Sequence, residues 1–461
     1  MTLPDTLQLN AWSGGDNTGA VDPDLKRHLL GLPFAGQSRR LPAAPVPQDR
    51  WQDPKVGWGV ILPENRELTR AELATAMDAP APVRELVARR SDAPVFRVGQ
   101  GWQPGTLRRY APDGSAMDID IHVGRIGTAP GHIPRYLLIV GSPAQIPWDV
   151  QYDLHLTYFT GRLDLDDTGL GHYVDALLSD WQGSPVMKAN TLSWTVDHGG
   201  GDITTLMRKT IGDPIHDRFA TDPVPELVAG ARVVRGPQAT QAALAAAIEE
   251  RHPSLIVSTS HGDTAPLDDV DLMRRNLGLL IDADLRRLDP ALLSGAAAPS
   301  GAIWFAQACC SAGSSARTAY DGVLKAGTAA DRIVRAVAGC GETTAPLPRA
   351  LLGASKPLRA FVGHVEPTFD WSLKNRKTGQ YVTTSILECF HTGLFTGQPI
   401  GMALDRVRAT GASFRNSRDI AEQRLLANRD ESQLGDILAA KLIADDWRSI
   451  VLLGDPTCRV W

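Results

Sequence analysis

Two short, uninterrupted apolar runs, residues 254–258 (SLIVS) and 302–306 (AIWFA), lie in the second half of the chain, and each is followed within a few positions by reactive side chains. Runs this short, with unbroken apolar centres and bounded by turn formers, predict strands buried on both faces, the habit of parallel sheets. A further run at 191–196 (TLSWTV) is separated from 254–258 by a helical stretch with an apolar stripe, 239–250 (ATQAALAAAIEE). Strand, helix, strand implies a right-handed parallel crossover.

Comparable strands are predicted at 56–62 (VGWGVIL), 136–140 (YLLIV), 360–365 (AFVGHV) and 450–453 (IVLL). Helical periodicity covers 68–90, broken at its prolines, and also 385–395 and 399–410. The pattern is that of an α/β chain with an open, mostly parallel sheet, helices on both faces and a ligand crevice at the carboxyl ends of the strands. Residues 1–50, rich in Gly, Pro and Asp, read as an irregular lead-in. Residues 51–180 read as a first α/β subdomain and 181–461 as a second.

A chain of 461 residues that is 43% hydrophobic can bury one large core or two moderate ones. Its formal charge of -5, with both signs mixed along the sequence, gives no electrostatic reason to expect nucleic acid or a membrane surface as partner. The N-terminus has no basic-then-apolar leader, and no stretch reaches the roughly 18 to 20 apolar residues of a membrane span, so a cytoplasmic location is expected. The five cysteines, an odd number without CxxC spacing, argue against a zinc site and against a disulfide framework. The glycines at 199–201 lack the spacing of a phosphate-binding loop.

SLIVSTS runs into His261-Gly262-Asp263, and AIWFAQA runs into Cys309-Cys310-Ser311-Ala312-Gly313. Adjacent parallel strands would bring both ends to one rim, where an imidazole can take or stabilise the proton of a thiol. Gly262 permits a sharp turn beside the base. The backbone N–H groups around Gly262 and Cys310, flanked by small residues, are candidates for an oxyanion hole. His198 and His364 also sit at strand ends but lack a paired cysteine, and Asp263 reads as structural.

The QAC sequence, with a His-Gly pair about 50 residues upstream, resembles the arrangement of caspases. SHGD, QACCSAG and the terminal LLGDPT, together with YLLIVGSPAQIP and AFVGHVEPTFDW, are similar to bacterial members of that clan, including gingipain-like and CHAT-type peptidases, over roughly residues 55–461. The resemblance implies a caspase-hemoglobinase-like three-layer α/β/α sandwich and a cysteine endopeptidase working through an acyl-enzyme. Cys309 would be the nucleophile and His261 the base, without metal or organic cofactor, and Cys310 would hold the variable place after the nucleophile.

In such relatives the loop after the first catalytic strand reads the side chain preceding the scissile bond, P1, and here that loop carries Asp197 and Asp202. Glu366 is a rival, and Gln307 occupies a place that lines the pocket in some relatives. An acidic floor would select Arg or Lys, whereas the plainer reading makes these carboxylates solvated turn residues. The acidic stretch 263–271 is either a solvated loop or a lid or activation loop that orders when a signal arrives. By the same analogy the peptidase would act in bacterial stress or antiviral defence, with protein or peptide substrates, and would be switched on by an activating protein or small signalling molecule sensed through residues 51–180. The alternative is an inactive scaffold of the same fold that binds peptides or partner proteins.

Overall fold

The computed structural model describes residues 6–8, 18–23, 46–91, 93–99, 101–375, 378–429 and 431–460. Residues 1–47 are a unit of their own, whose short strands Thr6–Gln8 and Thr18–Ala20 pair antiparallel. Most of the lead-in at 1–50 lies outside the described residues.

From residue 48 onward the chain is one unit built on a twelve-stranded sheet. Its strands are β1 (Trp58–Pro63), β2 (Val95–Val98), β3 (Thr106–Tyr110), β4 (Ala116–Asp120), β5 (Tyr136–Val140) and β6 (Phe159–Leu163). They continue as β7 (Met187–Thr195), β8 (Ala231–Arg235), β9 (Pro253–Thr259), β10 (Ile303–Gln307), β11 (Ala360–His364) and β12 (Ile450–Gly454). The spatial order is β8-β7-β9-β10-β11-β12-β6-β5-β1-β2-β3-β4. Every residue of β5, β6, β9, β10, β11 and β12 is buried, as expected of central strands covered on both faces, and the charged Arg162 on β6 is buried with hydrogen-bond partners.

Strands β8, β7, β9, β10 and β11 are parallel neighbours, β12 runs against β11, and β6, β5, β1 and β2 run parallel to β12. The hairpin β3–β4 closes one edge antiparallel. Helices flank the sheet, among them α1 (Ala81–Arg89), α2 (Asp167–Leu178), α3 (Gln241–Arg251), α4 (Ala329–Gly339), α5 (Asp405–Asn428) and α6 (Leu434–Arg448). This is the three-layer α/β/α sandwich with a mostly parallel sheet that the strand pattern predicts. The divide expected near residue 180 is not a break in the sheet, because β6 pairs with β12.

The LLGDPT segment supplies part of that seam. Asp455 is fully buried and accepts from the Trp58 indole and the Arg90 guanidinium, each at 3.1 Å. A buried carboxylate survives only with such partners, so the motif joins the two halves of the sheet.

Candidate active site

The parallel pair β9–β10 brings the two reactive strand ends to one rim, with Thr259 opposite Gln307 in register. His261 and Cys309 each lie two residues beyond that matched pair. Gly262 packs on the backbone of Cys309 so tightly that a Cβ there would overlap the Cys309 carbonyl. Glycine is therefore required by close approach.

The third member of the constellation comes from the loop after β7. Asp202 caps the short helix Ile203–Met207, and its Oδ1 accepts from the Thr204 N–H at 2.8 Å. Its Oδ2 lies 2.9 Å from His261 Nε2. Desolvation opposes ionisation of Asp202, but the bonds from Thr204 and His261 outweigh it and hold the carboxyl below its ordinary range. An ionised carboxylate only accepts, so Nε2 donates to it, and in the neutral ring the lone pair of His261 lies on Nδ1. The preceding glycines, Gly199 to Gly201, all adopt positive φ, a left-handed run open to residues without Cβ.

Cys309 is partly exposed, whereas the other four cysteines are buried. Cys310 belongs to a core cluster with Met273, Leu277, Val337 and Cys340, against which Cys309 packs from its edge, so of the doubled pair Cys309 is the less deeply buried residue. The Cys309 sulfur accepts from the Thr368 N–H at 3.3 Å and donates toward the Thr368 carbonyl at 3.5 Å. Burial pushes this thiol up to about 11, only partly offset by the Thr368 N–H. At neutral pH the sulfur is a protonated thiol.

The oxyanion expectation is half corrected. The Cys310 N–H donates to the Glu366 carbonyl at 3.1 Å and is not free to meet an oxyanion. Gly262 lies between two ladder bonds, Ile281 N–H to the His261 carbonyl and Asp263 N–H to the Leu279 carbonyl, and takes part in neither. The small residues after Cys309 serve packing: the Ser311 hydroxyl accepts from the His364 N–H at 3.0 Å, and Ala312 N–H donates to the His364 carbonyl at 2.8 Å.

The four substrate-reading candidates all have other employment. Asp197 is paired with Arg208 at 2.9 Å and bonded to Thr205 and to the Gly199 N–H, which holds its carboxyl low. Asp202 serves His261. Gln307 is 1% exposed, and its amide reaches His364 Nε2 at 3.2 Å and the Thr368 hydroxyl at 3.5 Å. Glu366 is buried with an Oε2 accepting from the Ala319 N–H at 3.1 Å, and desolvation pushes it up to about 7. Asp263 pairs with Arg287, as a structural residue does. His364 is buried and neutral, pushed down to about 3 by desolvation.

A cavity of about 170 Å³ is lined by Tyr320, Val323, Leu324, Phe369, Trp371, Leu438, Leu442 and Asp446; Thr368, which bonds the Cys309 sulfur through its backbone and Asp446 through its hydroxyl, stands between it and the thiol. Asp446, on α6, is 2% exposed. One of its oxygens accepts from the Thr368 hydroxyl at 3.1 Å, and the other has no hydrogen-bond partner. Burial pushes it up to about 7. Thr368 falls within the family-like segment AFVGHVEPTFDW without being singled out there, and no sequence signal marks Asp446, since an Asp within a helix reads as a surface charge.

Among the described residues no helix is long and apolar enough to cross a membrane. Family models, curated proteins and solved structures alike gave no match to the chain.

Proposed function

We propose that this protein is a cysteine peptidase in which Cys309, His261 and Asp202 act together and Asp446 helps choose the substrate. The observation that carries the reading is His261 held by Asp202 at 2.9 Å on the residue next to Gly262, whose backbone abuts Cys309. Nucleophile, base and orienting acid on one rim are the parts that acyl transfer needs.

In this reading the Cys309 S–H gives its proton to His261 Nδ1 as the sulfur attacks the substrate carbonyl. Asp202 steadies the imidazolium, and the Gly262 N–H faces the developing oxyanion. Collapse expels the amine, which leaves with the His261 proton. Water then gives a proton to His261 and attacks the thioester, and the sulfur departs with that proton. A thiol at about 11 makes the resting site quiet, which suits an enzyme switched on by a signal in the cytoplasm.

The cavity lined by Asp446 and by Phe369, one residue beyond Thr368, suits a long basic P1 side chain. Leu324 and Leu442 would pack its aliphatic stem, Phe369 and Trp371 offer ring faces to a cation, and Asp446 ionises as the cation arrives. Cleavage of a positional fluorogenic peptide library by wild type and by Cys309→Ala tests the whole reading. Turnover by wild type alone, concentrated on Arg or Lys at P1, is the expected result. Equal signals from both proteins would remove Cys309 from its role.

A second reading is a peptide-binding scaffold, favoured by one observation: the Cys309 sulfur bonds to Thr368 in both directions. A peptide aldehyde separates the two, since only a competent cysteine forms the hemithioacetal.

A further inference from the structure

His198 has no part in the proposed reaction, yet it stands against the catalytic base. Its ring lies 5.6 Å from that of His261, centroid to centroid, at an interplanar angle of 11°. His198, Asp202 and His261 each offer one donor atom, and the three atoms lie within 4.8 Å of one another. We propose that these three side chains form a binding site for a transition-metal dication of the zinc class, and that the bound metal locks the base.

The donor chemistry selects the metal class. Two imidazoles and one carboxylate suit zinc, cobalt or nickel, whereas magnesium and calcium prefer all-oxygen sets. Zinc holds nitrogen and oxygen donors at about 2.0–2.2 Å and leaves a fourth place for water when the protein supplies three. The His261–Asp202 hydrogen bond opens to admit the ion.

The outer partners of a metal site are already in place. His198 Nε2 lies 3.1 Å from the Asp282 carbonyl, which can only accept, so Nε2 carries the proton and Nδ1 keeps its lone pair. A ligand histidine tethered through its other nitrogen to a backbone carbonyl is the usual arrangement around bound zinc. Asp282 is itself fixed, with its carboxylate accepting from the N–H groups of Gln241, Asp284 and Arg286. The Asp202 oxygen turned away from His261 is held by Thr204. The side chains of His261 and Asp202 are 37% and 31% exposed, so an ion reaches them from solvent.

Locking follows from proton placement. Metal on His261 Nε2 displaces the proton that Nε2 shares with Asp202, and the neutral ring holds it on Nδ1 instead. The ring then has no lone pair left to take the Cys309 proton. This consequence rests on the peptidase reading; metal binding does not.

The test uses tag-free full-length protein and Co²⁺ as probe, read by its visible ligand-field absorption, with Zn²⁺ displacing it. Wild type and Cys309→Ala are expected to bind one Co²⁺ with the same intense band, which excludes sulfur as a donor. Loss of an outer partner already weakens a metal site by about 10–100-fold, so His198→Ala and the gentler His198→Gln should weaken binding by about 100-fold or more. Thermal melts check that both variants are folded. An unchanged band in a folded His198 variant, or no ligand-field band in wild type, overturns the site. Where peptide turnover is measurable, Zn²⁺ should suppress it in wild type at concentrations that leave the His198 variants active. Equal suppression in both overturns the locking. Absent turnover overturns the peptidase reading, while the cobalt band still decides the site.

Discussion

Gly262 presses against the carbonyl of Cys309, so the turn that carries His261 and the turn that carries Cys309 are packed backbone to backbone. A methyl group at 262 has no room, and the obstacle is backbone rather than the end of a flexible side chain. Gly262→Ala should therefore force the two turns apart. Overpacking of this kind costs about 1–3 kcal/mol, so the melting temperature should fall by several degrees and peptide turnover should drop much further. A variant with wild-type turnover would show that the proposed chemistry does not need this approach.

In the proposed reaction Asp202 acts through His261 rather than on substrate, so Asp202→Asn should lower kcat with little change in KM. Loss of the orienting carboxylate in a comparable triad costs on the order of 10⁴-fold in kcat; here a fall of at least about 100-fold is expected. Asp202→Glu should recover part of it, which a merely structural role for the cap would not predict. Equal losses from Asp202→Asn and from Thr204→Ala, which weakens only the cap, would assign Asp202 to the fold.

The strands at 136–140, 254–258 and 302–306 are legible in the sequence because burial on both faces keeps their centres apolar, and the structure places them within a residue of their predicted ends. The thiol and the imidazole are legible for the same reason, since each follows such a strand. Asp202 stands out in the sequence as a substrate-reading carboxylate, whereas the structure turns it onto His261. Its pairing with His261 spans 59 positions and depends on how β7 and β9 align, which spacing does not encode. Helix α5 is legible only to residue 410, because its remaining turns carry few buried residues. Helix α6 is not legible, and neither is Asp446, whose carboxylate sits where an apolar residue is expected.

Alkylation kinetics at Cys309 should reflect a thiol pushed up to about 11 by burial. The rate with iodoacetamide should climb by about tenfold per pH unit from 7 to 9 without a plateau, because the thiolate fraction grows in that proportion. Cys310, Cys340, Cys389 and Cys458 are buried and should stay unlabelled in the folded protein. A plateau below pH 8, followed by peptide mapping to Cys309, would mean a preformed thiolate and contradict the resting state described above.

Asp446 gives a stability signature with a definite sign. Its folded-state value is pushed up to about 7, against 3.8 in the unfolded chain, by desolvation that bonds from Ser372 and Thr368 only partly offset. Between those values the folded protein holds a proton that the unfolded chain has released. Its contribution is thus fully present below the unfolded value and is lost as pH rises through the folded one. Glu366, raised to about 7, acts in the same direction. Wild type should lose stability from Asp446 between about pH 4 and 7, and Asp446→Asn, which cannot ionise, should lose less over that interval. Urea melts at pH 5 and pH 7 measure the difference, with the variant gaining on wild type at the higher pH. The same variant should weaken turnover of Arg and Lys substrates relative to Leu or Met ones, since the cavity keeps its apolar walls. A parallel pH dependence in the two proteins would mean that Asp446 is already ionised without a ligand, and an unchanged P1 preference would move the cation's partner elsewhere.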